Sequence, residues 1–242
     1  MDDYREVLVE EMASRGIKEA IFEMAKNYIY DQHIEDVDLE KSEQIKNYLL
    51  KLAENNDKDA MVTLGGMYYE GRGVNQSYKE VVKWYERAAE KLDASGLCYL
   101  GYCYYYGRDI DIDYEKAYNC FSHSAFLEHP NAMYKLGDMY FNGQFVEEDK
   151  DAAFYWYQES WVYAESKYEK ASISYRLGRC YLHGEGVEQN LQLALEKLQS
   201  AEKVFFDLLI DFGDDAAEIV LKSVKEELET VRDRLYDEYE IK

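Results

Sequence analysis

The stretch Ala60-Met61-Val62-Thr63-Leu64-Gly65-Gly66-Met67-Tyr68-Tyr69-Glu70-Gly71-Arg72-Gly73-Val74 decides the fold. Its Leu-Gly pair returns at Leu100-Gly101, Leu136-Gly137 and Leu177-Gly178. A tyrosine follows four residues behind each leucine (Tyr68, Tyr104, Tyr140, Tyr181), and a glycine three further on (Gly71, Gly107, Gly143, Gly184). The leucines lie 36, 36 and 41 residues apart, a period that belongs to stacked helical repeats.

Each position in the unit has a physical role. Ala60, Leu64, Gly65 and Tyr68 share one helical face, the two small residues admitting a neighbouring helix and the two large ones filling the space around it. Gly71 stands where the helix must stop, since glycine takes the left-handed conformation without a Cβ penalty. Val74 then turns inward, and from about Ser77 a second helix buries Val81, Trp84, Tyr85 and Ala88. The second unit runs from Gly96 through Ile110 to Ala117, Phe121 and Ala125. The third runs from Ala132 through Val146 to Ala153, Trp156 and Tyr157, and the fourth leads on to Val187, Ala194, Leu198 and Ala201. The five extra residues ahead of the fourth unit fall within 161–170, and the pattern assigns them to a longer second helix of unit three.

Upstream, Ala20, Met24, Ala25 and Tyr28 align with the same face at an offset of 40, giving a degenerate unit over Lys18–Asn56. Terminal repeats are atypical because one side has no neighbour. Tyr4–Ala13 reads as a short helix ending at Gly16, and Leu191–Ile210 as a helix broken at Asp211-Phe212-Gly213-Asp214. Ala216–Tyr236 forms a final helix with one apolar face and charged residues elsewhere, as a solenoid cap requires; a homodimer formed through this helix is the alternative. The expectation is therefore one all-α solenoid domain over 1–242, with antiparallel helix pairs stacked between an N-terminal and a C-terminal capping helix. Its segments are 1–16, 17–57, 58–93, 94–129, 130–170, 171–210 and 211–242.

These residues resemble the Sel-1-like repeat (SLR) family, a relative of the tetratricopeptide repeats. The family unit, A…LG..Y..G.GV followed by A..WY..AA, is met by Ala60, Leu64-Gly65, Tyr68, Gly71, Gly73-Val74, Trp84-Tyr85 and Ala88-Ala89, and again by Ala152-Ala153 and Trp156-Tyr157. Asp109 and Phe145 replace the second loop glycine in units two and three, and Val81 replaces an alanine in unit one, changes that bear on loop shape. The resemblance implies a right-handed solenoid acting as an adaptor in signalling, quality control or bacterial host interaction. It also implies that the disulfides of some secreted members are absent here, because the cysteines do not pair regularly.

Composition narrows the partners. With 28 basic against 50 acidic residues, the formal charge of −22 argues against nucleic acid and anionic membrane as ligands. It leaves either a solvated acidic surface or an acidic inhibitor, of immunity type, that masks a basic partner. High salt separates the two, since masking relies on electrostatic steering and groove capture does not. The first residues, Met1-Asp2-Asp3-Tyr4-Arg5-Glu6, lack the basic start and apolar run of a signal peptide. Nor does any stretch approach the roughly 18 apolar residues of a membrane span. A cytoplasmic location is expected. Cys98, Cys103, Cys120 and Cys180 show no CxxC spacing and read as buried reduced thiols. His33, His123, His129 and His183 are scattered, and no phosphate loop, nucleophile motif or metal-ligand pattern appears. A non-enzymatic protein with no cofactor and no metal is expected.

Binding is expected at positions that escape the packing rule. Those at −5, −1, +2 and +6 from each leucine line one side of the first helices. In unit two they give Tyr99, Tyr102 and Tyr106. In unit three they give Lys135, Asp138 and Asn142, and in unit four Arg176, Arg179 and His183. The tyrosines either pack between helices or form an aromatic ridge of the kind enriched at interfaces. The arginines either pair with the acidic excess or grip a partner's carboxylate or phosphate. An extended peptide lying across the tyrosines with an acidic group on Arg176 and Arg179 is the expected mode.

Overall fold

The computed structural model describes residues 9, 11–30, 39–71, 73–212 and 215–240, and all its regular structure is helical. The helices are α1 (Lys18–Tyr30), α2 (Leu39–Glu54), α3 (Lys58–Glu70), α4 (Tyr78–Ala89), α5 (Ala94–Tyr106), α6 (Tyr114–Phe126), α7 (Pro130–Asn142), α8 (Lys150–Tyr163), α9 (Lys167–His183), α10 (Leu191–Phe212) and α11 (Asp215–Glu240). Residues 11–14 are also helical and turn at Arg15-Gly16. Of the expected N-terminal helix the rest lies outside the described residues, as do Gly213 and Asp214 of the expected break and the side chain of Tyr28. Met1–Cys120 and Phe121–Lys242 form two compact units, the division falling inside α6.

Within each unit the helices pack mainly on their sequence neighbours, and the first helices of successive repeats also touch: α1 on α3, α3 on α5, and α7 on α9. Each repeat is built by the same local chemistry. Asp57 and Asp93 cap the first helices of units one and two by accepting from Ala60 N and Gly96 N. Gly71, Gly107, Gly143 and Gly184 close the first helices in the left-handed conformation, each donating its N–H to the carbonyl four residues back.

A second set of positions keeps the same period. Ser77, Asp113, Asp149 and Asn190 start the second helices, accepting from the backbone N–H three residues on. Their own N–H groups donate to the carbonyls of Tyr68, Tyr104, Tyr140 and Tyr181 at 2.9–3.2 Å. The repeat tyrosine thus anchors the loop through its backbone while its ring fills the core. A capping side chain at this position contributes about 1 kcal/mol per helix.

The Leu-Gly glycine admits the second helix of its own repeat. A Cβ on Gly65 would stand 2.2 Å from the Tyr85 ring, and one on Gly137 2.5 Å from the Tyr157 ring. The alanines, leucines and methionines around them are fully buried, among them Ala60, Leu64, Met67, Leu136 and Met139.

The extra residues of unit four extend its first helix, which corrects the expectation of a longer second helix in unit three. Leu177 is the eleventh residue of α9, whereas Leu64, Leu100 and Leu136 are each the seventh of theirs, so four of the five lie at the start of α9. Ala164 has an extended backbone and ends α8 at Tyr163. A full capping box on Ser166 and Glu169 then restarts the chain early.

The loop substitutions leave the backbone unchanged. Asp109 and Phe145 have φ of 58° and 67°, matching Gly73 at 67° and Gly186 at 71°. At Gly186 a side chain is doubly excluded, because its Cβ would also lie 1.9 Å from the Lys150 carbonyl oxygen.

Candidate functional site

In the unit formed by 121–242, α7, α8 and α9 converge on the carboxylate of Asp138. The packing phase of the Leu-Gly helices puts Asp138 and Arg176 opposite one another on successive first helices. Arg176 forks onto Asp138 with Nε donating to Oδ1 at 2.6 Å and Nη2 to Oδ2 at 2.7 Å, while its Nη1 donates to the Ser172 carbonyl at 2.9 Å. Tyr157 on α8 donates its hydroxyl to Oδ1 at 3.0 Å, and Lys135 its ammonium to Oδ2 at 3.3 Å. The Arg176 guanidinium lies 4.5 Å from the centre of the Tyr134 ring.

This cluster holds its charges fixed. Burial alone would raise the Asp138 carboxyl, but the Arg176 charge and hydrogen bonds, with Lys135, outweigh it and hold the group below the usual carboxylate range. Arg176 is likewise pressed downward by burial and raised well above its ordinary value by Asp138. Burial, and then Asp138, push the Tyr157 phenol upward. The acid, the base and the phenol are therefore locked in their ordinary states at neutral pH, which suits recognition and not proton transfer.

Arg179 lies one turn along α9 from this pair. Its Nε donates to Glu227 Oε1 on α11 at 3.1 Å, and His183 Nε2 meets Glu227 Oε2 at the same distance. The Arg179 guanidinium stands 5.6 Å from the Phe141 ring and 5.8 Å from the Tyr175 ring. Its two amino groups make no hydrogen bond among the described residues. Arg179 lines a depression of about 170 Å³ together with Asp138, Phe141, Asn142, Tyr157, Tyr175 and Arg176. Asn142 is held there by donating to the Asp138 backbone carbonyl at 2.8 Å. A space this small takes a single side chain; sites for drug-sized ligands run to about 300–1,000 Å³.

The sequence-predicted residues are thus sorted. Lys135, Asp138, Asn142, Arg176, Arg179 and His183 come together, but not as one open cationic row. Lys135 is 7% exposed and faces the cluster instead of solvent. Asp138 already fills the fork of Arg176, leaving Arg179 as the arginine with donors to spare. Tyr157, Phe141, Tyr175 and Glu227 were not predicted. Tyr157 follows the packing pattern that hides its hydroxyl's role, and no spacing rule connects Glu227 with α9 across 44 residues of chain from His183.

In the unit formed by 1–120, Tyr99 turns toward Tyr85, their ring centres 5.3 Å apart. Tyr102 and Tyr106 lie parallel, 6.1 Å apart and 5° from coplanar orientation, and Tyr106 is half exposed. Arg108, not singled out by the sequence, donates to the Tyr78 hydroxyl at 3.0 Å and lies 5.1–6.0 Å from the ring centres of Tyr69, Tyr78 and Tyr106.

The Cys98, Cys103 and Cys180 thiols are buried and Cys120 partly so. Burial pushes the Cys103 and Cys180 thiols up to about 12 and Cys120 up to about 11. Among the described residues no group of three potential ligands is arranged to hold a metal. No helix there is long and apolar enough to cross a membrane.

Comparison with known proteins bears on the repeats and the fold. The Sel1 repeat profile matches residues 58–91, 94–125, 130–160 and 174–201. A Sel1 repeat protein from Oxalobacter formigenes superposes with a TM-score of 0.66 at 25% identity, over 90% of this chain and 59% of that one. A protective antigen of uropathogenic Escherichia coli displaying an SLR fold gives 0.65 at 24% identity, over 92% and 48%. A putative Sel1 repeat protein from Klebsiella pneumoniae gives 0.52 at 19% identity, over 91% and 99%. The chain therefore spans about half to three-fifths of the first two structures. No curated protein sequence matches it.

Proposed function

The chain belongs to the Sel1 repeat family, whose members are in general protein–protein interaction scaffolds, and we propose that it is a non-enzymatic adaptor that seats an acidic side chain of a partner segment against Arg179. The observation carrying this reading is that Arg179, whose amino groups make no hydrogen bond among the described residues, lines a small depression together with Phe141 and Tyr175. The neighbouring Arg176–Asp138 pair supplies rigidity, and Glu227 holds the Arg179 Nε so that its amino groups keep their direction. A guanidinium fixed in this way gives up little rotamer entropy when it binds, and charge-assisted bonds to a carboxylate are the stronger kind.

The test uses peptides selected on the intact protein from an array that varies one Glu/Gln position beside an aromatic residue. Glutamate peptides should outbind their glutamine counterparts, and Arg179→Gln should weaken the glutamate peptides about tenfold without altering the helical circular dichroism. Equal binding of glutamate and glutamine peptides, or an unchanged affinity in R179Q, refutes the reading.

A further inference from the structure

In the unit formed by 1–120, the end of α5, the turn behind it and the start of α6 carry exposed aromatic, aliphatic and acidic side chains within ten residues of chain. Tyr106 is 50% exposed, Ile112 57% and Tyr114 37%. They are contiguous. Tyr105 meets Tyr106 edge-on at 4.9 Å and Tyr114 edge-on at 5.4 Å, and Ile112 lies against Gly107, where an added Cβ would stand 2.9 Å from it. The edge-to-face chain fixes the ring planes, so this is a preformed aromatic surface and not a set of loose side chains.

Charge decides what fits it. Asp109 and Asp111 in the turn and Glu115 in the first turn of α6 are exposed and make no ion pair among the described residues. Asp113 is engaged, accepting from the Lys116 backbone at 3.0 Å and pairing with its ammonium at 3.4 Å, while Lys116 leans over the Tyr104 ring. Arg108 is engaged too, on Tyr69 and Tyr78. Among the described residues, three carboxylates without an ion pair thus neighbour the exposed aromatics along the chain, while Arg108 and Lys116 are already engaged. Arg108 also shows that these tyrosines receive a guanidinium: it bonds the Tyr78 hydroxyl and lies within 6.0 Å of the Tyr106 ring centre. A second copy of this chain is a poor occupant, because each brings a charge of −22.

We infer that the face formed by Tyr106, Ile112 and Tyr114, rimmed by Asp109, Asp111 and Glu115, docks an arginine-containing basic segment of a partner protein. Guanidinium planes stack on the rings while the carboxylates neutralise the charge, a combination that favours arginine over lysine. The Arg179 depression selects the opposite charge through different residues, so either reading stands if the other fails.

The probe is a fluorescent peptide of alternating glycine and arginine, with a lysine version beside it, titrated against the whole chain and followed by anisotropy. The arginine peptide should bind several-fold more tightly than the lysine one. Asp109→Asn with Asp111→Asn should weaken it about fivefold, and Tyr106→Ser with Tyr114→Ser about tenfold. Glu226→Asn with Glu229→Asn, on an exposed stretch of α11, removes the same charge elsewhere and should leave affinity nearly unchanged. If this control pair weakens binding as much as the aspartate pair, or the aspartate pair has no effect, the inference is overturned. Absence of arginine-peptide binding to the wild-type chain overturns it as well. The aspartates are exposed, so their variant decides the matter even if the tyrosine variant fails to fold.

Discussion

Replacing Gly137 with alanine should destabilise the unit formed by 121–242 and loosen its binding cluster together. The new methyl would lie 2.5 Å from Tyr157 Cε1 and 2.7 Å from Cδ1, with the Ala153 carbonyl oxygen at 3.1 Å on its other side. Ordinary contact begins near 3.4 Å, so the ring must retreat by roughly 1 Å. It is not free to do so cheaply, because its hydroxyl donates to Asp138 at 3.0 Å and Asp138 is itself fixed by Arg176 and Lys135. Overpacking of this kind costs about 1–3 kcal/mol. Losing a hydrogen bond to a charged acceptor adds about 1.5–3 kcal/mol, while alanine's better helix propensity returns about 1 kcal/mol. The net expectation is a loss of about 3 kcal/mol. With urea slopes of about 1–3 kcal/mol/M for domains of this size, the midpoint should fall by roughly 1–3 M. The Trp156 and Trp161 fluorescence lies within this unit and follows its unfolding. Tyr157→Ala removes the obstructing side chain (a leucine would not, since a Cβ on Gly178 would stand 2.7 Å from Leu198 in the fourth repeat), and in that background Gly137→Ala should cost less than about 1 kcal/mol. A G137A protein as stable as wild type, or more stable, would refute the argument, because helix propensity would then outweigh the close approach.

Phe145→Gly should act in the opposite direction. Phe145 holds φ at 67° and is 53% exposed, so only part of its side chain's contact is lost while left-handed strain of about 1–2 kcal/mol is relieved. After the extra unfolded-state freedom of glycine, a net gain of about 0.5 kcal/mol is expected, read as a rise in the thermal midpoint. Asp138→Ala should cost about 3 kcal/mol at pH 7, the lower end for breaking a buried pair, since it strands the Arg176 charge. The depressed Asp138 carboxyl gives this contribution its pH signature. The folded value lies below the unfolded one near 3.9, so the stabilisation is complete above pH 5 and is lost as pH falls through the folded value. The gap between wild type and D138A in urea midpoint should be flat from pH 8 to pH 5 and close below pH 4; a gap already closing at pH 6 contradicts the assignment.

What the sequence shows and what it hides follow from how each interaction is distributed along the chain. The Leu-Gly, tyrosine and glycine positions answer local demands that every repeat makes again: a close helix approach, a filled core and a left-handed stop. Repetition multiplies the signal, so the helix pairs are legible almost throughout. The capping residues Ser77, Asp113, Asp149 and Asn190 obey the same period, yet the sequence reading marks helix starts at single members such as Ser77 without linking the four as one repeat position. Three residue types serve the same hydrogen bond there, so identity varies where chemistry does not. The insertion before unit four was counted correctly and placed in the wrong helix, because the pattern gives its length while Ser166 and Glu169, as a capping box, decide where α9 begins.

The candidate site is different in kind. The stripe rule brought Asp138, Arg176 and Arg179 to the right face, since it depends only on helical phase. It gave no sign that the first two consume one another, because their bidentate contact joins two repeats that are 38 residues apart in sequence. Pairing leaves Arg176 a scaffold and makes Arg179 the proposed recognising group, a difference between two arginines three positions apart that look equivalent in the sequence. The same logic separates Arg108 from a partner's arginine in the other unit: the internal guanidinium is engaged on Tyr69, Tyr78 and the edge of the Tyr106 face, and the exposed carboxylates Asp109, Asp111 and Glu115 set the charge of the proposed partner. In both units the positions that keep the repeat's beat hold the helices in place, and binding specificity follows from which off-beat side chains satisfy each other and which are left facing outward.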